Sequence, residues 1–525
     1  MAFNKSGYII SLLILFAIFS SSIFAQDTTV SLAFKKNKFY RNNPYFYQPD
    51  LSYQLLQQFK LVQIANTGDP LAEHELGLRL LTGDGTAPDT TAAVYWIKKA
   101  ADQNLTSALY NYGVMLINGW GTEWNPFKAY EKFMAAAKAG MSQAQYIIGA
   151  LNTDNLIVPR NWNEAYYWIK KSSNSGYEPA KDLLSEISSK VSPGFRDSVN
   201  QNKIEKDINK RSFEETENSQ ISPSLGLVFI DFNTQQDTIK DISDKILITD
   251  LERIGIYDIL DSLGIKNDTS LLAINNLAQI NKLVKLADAG SIEAQTILGR
   301  LYERGNLVGQ NILLAAEFYI RATILDSPRS AFLLWNLIRK KNFYKILNDA
   351  VQFGDPTAQF VWYGLKKLGY DNRLTDEDAI NLLNKAVNQK HIPSIIELGF
   401  DYYTGKYIKM DKQKGLALWE LAKNFNSTEA GVRIATSQVY DPNETPSIIK
   451  EAISYLQKAE SKGSLLAQFT LGYCYEKGRG LGKSIPNAVK YYREAAQRGN
   501  QFAYEQLKRM YDSIRPTSEQ FKVQN

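Results

Sequence analysis

The chain of 525 residues has one cysteine, Cys474, and two histidines, His74 and His391. A single thiol cannot close an internal disulfide, so folding has to rest on packing. Within "LGYCYEKG" Cys474 reads as a small buried apolar residue, not as a nucleophile. The histidines are far apart and in no H-E-x-x-H or Cys/His cluster, which leaves zinc binding and histidine acid–base chemistry without support. "HEL" at His74 is half of such a motif and reads as an ordinary helix-surface residue. G-x-S-x-G is absent. Charge of one sign is also scarce: 60 Lys+Arg against 55 Asp+Glu leave +5, too little for a cationic field that would hold nucleic acid. No motif asks for a cofactor.

Two fragments imitate ligand sites. "GLGKS" at 480–484 ends like a phosphate-binding loop, but the position five residues before Gly482 is Lys477, and the preceding "LLAQFTLGYCYEKG" reads as helix where that loop needs a strand. "LTDEDAI" has the acidity of a cation loop, yet Thr375 followed three residues later by Asp378 fits a helix N-cap better. Long apolar runs occur at one place, the N-terminus. There Lys5, an apolar run from Tyr8 to Phe19 and a small exit residue at Ala25 have the order of a secretory signal. Cleavage would leave a chain starting near Gln26, and retention would leave a membrane anchor.

What the chain has in quantity is repetition. "GDPLAEHELGLRLLTGDG", "NLTSALYNYGVMLINGWG" and "GMSQAQYIIGALNTDN" align without gaps and place Ala72, Ala108, Ala144 and Ala180 at intervals of 36. Ala93, Ala129 and Ala165 repeat with them in the segments that follow. The pattern resumes at Ala294, Ala331, Ala358, Ser394, Ala430, Ala467 and Ala503, with one unit shortened around "SAFLLWNLIRKKNFYKILNDA". Such a period indicates stacked supersecondary units. Small and apolar residues at three- and four-residue steps make each half a helix, and alanine or glycine lets its partner approach closely. Gly83-Asp-Gly85, Gly119-Trp-Gly121 and Gly478-Arg-Gly480 then fall where one helix must stop.

These segments, and above all "GSLLAQFTLGYCYEKGRGLGKSIPNAVKYYREAAQRGN", resemble the Sel-one-like repeat (SLR) family, relatives of the tetratricopeptide repeats. The resemblance covers roughly 67–190 and 275–512 and departs at "NTDNLIVPR", which lacks the Gly-x-Gly turn, and in the shortened unit. It implies a right-handed α-solenoid and adaptor or scaffold roles, with bacterial members often exported. Some exported relatives are linked to β-lactam hydrolysis, so a hydrolase of that kind is the alternative. Those members are rich in disulfide-forming cysteines, which this chain lacks.

The expected architecture is all-α: a signal (1–25), an N-terminal segment with a capping helix (26–66), a first repeat array (67–190), a flexible linker and small insert (191–270), a second array (271–513) and a tail (514–525). The expected function is that of an exported, non-enzymatic scaffold for a protein or peptide partner, with no nucleic acid and with membrane contact only if the N-terminal segment is retained. A solenoid exposes one face made of the same position in successive units. By the tetratricopeptide resemblance that column holds Tyr110, Tyr146, Phe360, Ile396, Phe400, Val432, Phe469 and Tyr473. Its aromatic, apolar character suits either helix packing or a peptide groove. Trp120 and Trp124, in the turn "NGWGTEWNP", either stack on a ligand or pack over neighbouring units.

Overall fold

A computed structural model describes residues 58–83, 87–201, 277–305 and 308–523. The leader, most of the linker and the 221–270 insert lie outside the described residues. Contacts divide the chain into two compact units: Met1–Leu227 with Ser513–Asn525, and Val228–Asp512. Among the described residues there are 23 α-helices and no strand. The first unit holds α1 (Gln58–Asn66), α2 (Pro70–Thr82), α3 (Thr90–Asp102), α4 (Thr106–Asn118), α5 (Pro126–Lys138), α6 (Ser142–Leu151), α7 (Trp162–Asn174), α8 (Glu178–Ile187) and α9 (Pro193–Gln201). The second begins with α10 (Leu277–Asp288), α11 (Ile292–Arg304), α12 (Ile312–Ile324), α13 (Pro328–Ile338), α14 (Phe343–Gln352), α15 (Pro356–Lys367) and α16 (Asp376–Asn388). It continues with α17 (Ile392–Thr404), α18 (Lys412–Asn424), α19 (Thr428–Tyr440), α20 (Pro446–Glu460), α21 (Leu465–Lys477), α22 (Ile485–Gln497) and α23 (Gln501–Asp512).

Three backbone devices write the period. Each passage from one pair to the next contains a left-handed residue: Gly68, Asn104, Gly140 and Gly176 in the first unit, and Gly290, Asp326, Gly354, Lys390, Asn426, Gly463 and Gly499 in the second. Glycine and asparagine take that conformation at little cost, which is why they recur there. One residue on, an N-cap side chain accepts from the first buried small residue of the new helix: Asp69 from Ala72 N, Ser291 from Ala294 N, Asp355 from Ala358 N, Ser427 from Ala430 N and Ser464 from Ala467 N. Five residues after that anchor a glycine meets a bulky side chain of the partner helix. A Cβ on Gly113 would stand 2.7 Å from Phe133, on Gly299 2.4 Å from Tyr319 and on Gly472 2.8 Å from Tyr492. The small residue is there because a ring fills the space its side chain would take.

The anchors Ala72, Ala108, Ala144, Ala180, Ala294, Ala358, Ser394, Ala430, Ala467 and Ala503 are all fully buried. Ala331 is a correction. The buried small residue of that helix is Ser330, whose N–H is the one capped by Ser327, while Ala331 is only half-buried. Ser330 therefore keeps the interval of 36 from Ala294, and the whole shortening falls in α14 and its short connection to α13.

His74 is a second correction. It is fully buried on α2, with Asn111 Nδ2 2.7 Å from its Nε2 and Ser107 Oγ at 3.5 Å from Nδ1. Burial lowers its pKa from 6.5 to about 3, so the ring is held neutral. A third concerns 192–201, expected as flexible linker. It forms α9, because Pro193 stands at the start, Ser192 Oγ accepts from Phe195 N, and Phe195 and Val199, four apart, pack against the core of α7 and α8. The tail is likewise tied down: residues 513–523 belong to the first unit, and the 3₁₀ turn Glu519–Phe521 buries Phe521.

The imitated ligand motifs resolve into helix ends. Gly478 takes φ 70° as the C-cap of α21 and Ser484 caps α22. Thr375 and Asp378 form a reciprocal capping box at α16. Cys474 is fully buried, and burial pushes its thiol up to about 12.

Candidate functional site

The predicted column splits. Tyr110, Phe360, Ile396 and Val432 are buried and belong to the packing between helices. Tyr110 stands edge-on to Phe133 at 5.7 Å between ring centroids, and Phe360 lies 6.4 Å from Tyr363. Tyr146, Phe400, Phe469 and Tyr473 are half-buried, each against another ring or a cation: Tyr146 on Tyr177, Phe469 on Tyr492, Tyr473 on Tyr440 and Phe400 beneath Lys367 at 4.6 Å. Trp120 and Trp124 are half-buried in a turn whose Gly121 lies against Thr90 of α3, where an added Cβ would stand 2.2 Å from the Thr90 carbonyl oxygen. That turn touches the preceding repeat.

Within the second unit the interior face carries ion pairs. Lys367 Nζ sits 2.5 Å from Glu397 and 3.4 Å from Asp401, Arg433 reaches Glu397 at 3.0 Å and Glu429 at 3.2 Å, and Arg321 reaches Glu429 at 3.1 Å. Tyr363 donates to Asp401 at 2.7 Å, and His391 Nε2 stands 3.0 Å from Glu317. Burial alone raises the carboxyls. At Asp401 it wins, and the group is raised; at Glu397 Lys367 and Arg433 outweigh it, and the group lies below its ordinary value. Two carboxyls with divergent pKa values are what acid–base chemistry uses. Here each is engaged by the chain's own cations and phenol, so the arrangement fixes helices in place.

The seam also closes the unit on itself. Arg498 donates to both oxygens of Glu293, 205 residues away, at 2.7 and 2.8 Å. Asp288 accepts from Ser427 Oγ and Thr428 N, and Leu465 N donates to the Gly290 carbonyl. The first repeat of this unit thus packs on its later repeats.

An outward cluster lies where the shortened repeat meets the one that follows. Trp335, on α13, is 45% exposed and leans on Tyr370 at 6.0 Å, and the Arg339 guanidinium stands 5.5 Å from its ring. Arg373 covers Tyr344 at 4.2 Å and Trp362 at 5.7 Å and donates from Nε to Asp371 at 2.9 Å. Burial would raise Asp371, but Arg373 outweighs it and holds the carboxyl below its ordinary value. Arg339, Lys341 and Lys345 are exposed alongside, as is Lys340, whose Nζ sits 2.9 Å from Glu303. Loss of the inter-helix turn places these side chains together, because only four residues separate α13 from α14. None was marked by the repeat column; the signal available was Trp335, Tyr344 and four cations in the unit that departs from the pattern, with Trp362 and Tyr370 in the one that follows. Among the described residues no group of three His, Cys, Asp or Glu could hold a metal ion.

The Sel1 repeat profile matches seven segments: 70–105, 106–140, 142–177, 292–327, 392–424, 446–464 and 465–500. The chain is a Sel1-repeat protein. The mouse protein named DAP3-binding cell death enhancer 1 is 31% identical over 102 residues, 19% of each chain. The Saccharomyces cerevisiae protein named chitin synthase regulator SKT5 is 23% identical over 260 residues, 49% of this chain and 28% of that one. The chain thus matches between a fifth and little more than a quarter of the length of these relatives. Among solved structures, a protective antigen of uropathogenic Escherichia coli displaying an SLR fold is 18% identical, with 89% of this chain and 92% of that chain covered and a TM-score of 0.29. A Sel1 repeat protein from Oxalobacter formigenes is 30% identical, covering 24% of this chain and 96% of that one, with a TM-score of 0.24. The repeat matches, not these superpositions, carry the assignment.

Proposed function

We propose that this Sel1-repeat protein is a non-catalytic scaffold, exported by its N-terminal leader, that holds a protein partner on the outward face of the shortened repeat. The observation that carries the reading is Trp335, exposed beside Tyr370 and Arg339. Trp, Tyr and Arg are the residues that dominate binding energy at protein interfaces. The flanking cations favour a partner segment that brings carboxylates. Relatives named for binding or regulating other proteins support a role of this class, and the charged side chains of the second unit's interior are paired with one another across helices. A photo-crosslinking amino acid placed at the exposed Asn336, beside an intact Trp335, tests it in cells. One discrete adduct at 336, absent when the same group stands at position 353, is expected; no adduct at 336 would end the reading.

A further inference from the structure

The irregular turn of the first unit, residues 152–160, has a use that the repeat does not require. Without Gly-x-Gly it is built by side chains: Asn155 takes φ 55° and accepts from Arg160 N, and Arg160 Nε donates to the Thr153 carbonyl. Leu156, Ile157 and Val158 are buried in it. The turn presents the carbonyls of Leu156 and Ile157 to the tail, where Arg515 donates to both, at 2.7 and 3.1 Å. The same guanidinium lies 5.2 Å from the Phe127 ring and donates to the Phe521 carbonyl at 2.8 Å. Phe521 is 1% exposed, edge-on to Phe127 at 5.1 Å and to Tyr130 at 5.9 Å.

Between these anchors the tail is wet. Thr517, Ser518, Glu519 and Gln520 are exposed, and the backbone closes on itself in a single 3₁₀ turn with Phe521 N donating to the Ser518 carbonyl. A segment of a folded core buries several residues; from 515 to 521 this one buries a single ring, Phe521, six positions after the half-buried cation of Arg515. That is the economy of a short peptide in a recognition site, where a few anchors supply the affinity and the rest stays solvated.

We propose that the surface formed by Phe127, Tyr130 and the Leu156–Ile157 carbonyls is a peptide-recognition site for segments carrying Arg and, six residues later, Phe, and that the chain's own tail is its tethered occupant. A partner segment of that pattern gains the site by displacing residues 513–523. Tethering sets the competition, because an attached ligand acts at high effective concentration. This site is separate from the Trp335 surface, and either can fail without the other.

The test uses the full chain and a fluorescent synthetic peptide of residues 513–523. Phe521→Ala loosens the tethered copy, so this variant binds the added peptide at least tenfold more tightly than wild type, and adding Phe127→Ala removes the binding. Failure of a folded Phe521→Ala chain to bind the peptide overturns the proposal. A second measurement needs no variant: excess peptide added to wild-type protein speeds hydrogen exchange in the chain's own 513–523 while 154–158 stays protected, and unchanged exchange in 513–523 at saturating peptide overturns it as well.

Discussion

Glu293→Gln removes one charge from the contact that joins the first repeat of the second unit to its last. Arg498, 9% exposed, would keep its hydrogen bonds to Gln468 at 2.8 Å and to the Gly463 carbonyl, with Glu460 and Glu494 nearby, but lose the carboxylate it is hydrogen-bonded to. Breaking a buried pair from one side costs about 3–5 kcal/mol, since the remaining charge stays desolvated. For a unit of this size that is a fall in melting temperature of roughly 10 °C. Repeat proteins open locally, so hydrogen exchange is the sharper assay. Protection should fall in α11, in the Gly463 turn and around Arg498, and hold in α15 to α18. Pairing Glu293→Leu with Arg498→Met should recover most of the loss, because well-packed apolar replacements of buried pairs are often neutral. If Glu293→Gln melts and exchanges like wild type, the closing role of this pair is wrong.

Other perturbations probe other levels. Gly299→Ala should destabilise by about 1–3 kcal/mol, since the added Cβ stands 2.4 Å from a Tyr319 ring that is fully buried and anchored to Glu303; helix propensity alone predicts the opposite sign, so a chemical denaturation curve decides. Lys390→Gly should gain about 1 kcal/mol, because Lys390 holds φ 61° where its equivalents are Gly, Asn or Asp. His74 makes the first unit acid-sensitive. Its pKa is lowered on folding, so the stability of the neutral buried ring is complete above the unfolded value of 6.5 and is lost as pH falls toward about 3. Between pH 6.5 and 5 the loss should reach about 2 kcal/mol, and His74→Gln should flatten that slope in thermal melts.

The period was legible because it is carried by alanines and glycines, whose small size is dictated by the ring or aliphatic chain facing them across the helix pair. The left-handed column from Gly68 to Gly499 was equally present in the letters, but it is spelled with Gly, Asn, Asp and Lys and escapes a search for identical residues. The same cause misplaced Ser330 by one position: its neighbour Ala331 matched the alanine pattern, while the cap at Ser327 fixed the true register. His74 looked exposed because polarity suggests surface, and Asn111 on the next repeat satisfies it inside. Contacts such as Glu293 with Arg498 depend on how the helix pairs of the second unit curve, and no local pattern encodes that. For the binding column, position in the repeat told which residues line up but not how deeply each is covered. The Trp335 cluster arises from a deletion, which a search for regularity passes over.

The claim that matters most is that partner capture depends on the Trp335 face rather than on the solenoid as a whole. Wild type, Trp335→Ala and the control Phe353→Ala, which alters a side chain 92% exposed and outside the cluster, can be compared as baits in one envelope extract. With equal melting temperatures across the three, the account predicts a protein retained by wild type and Phe353→Ala and lost from Trp335→Ala. The same protein retained in equal amount by Trp335→Ala would contradict it.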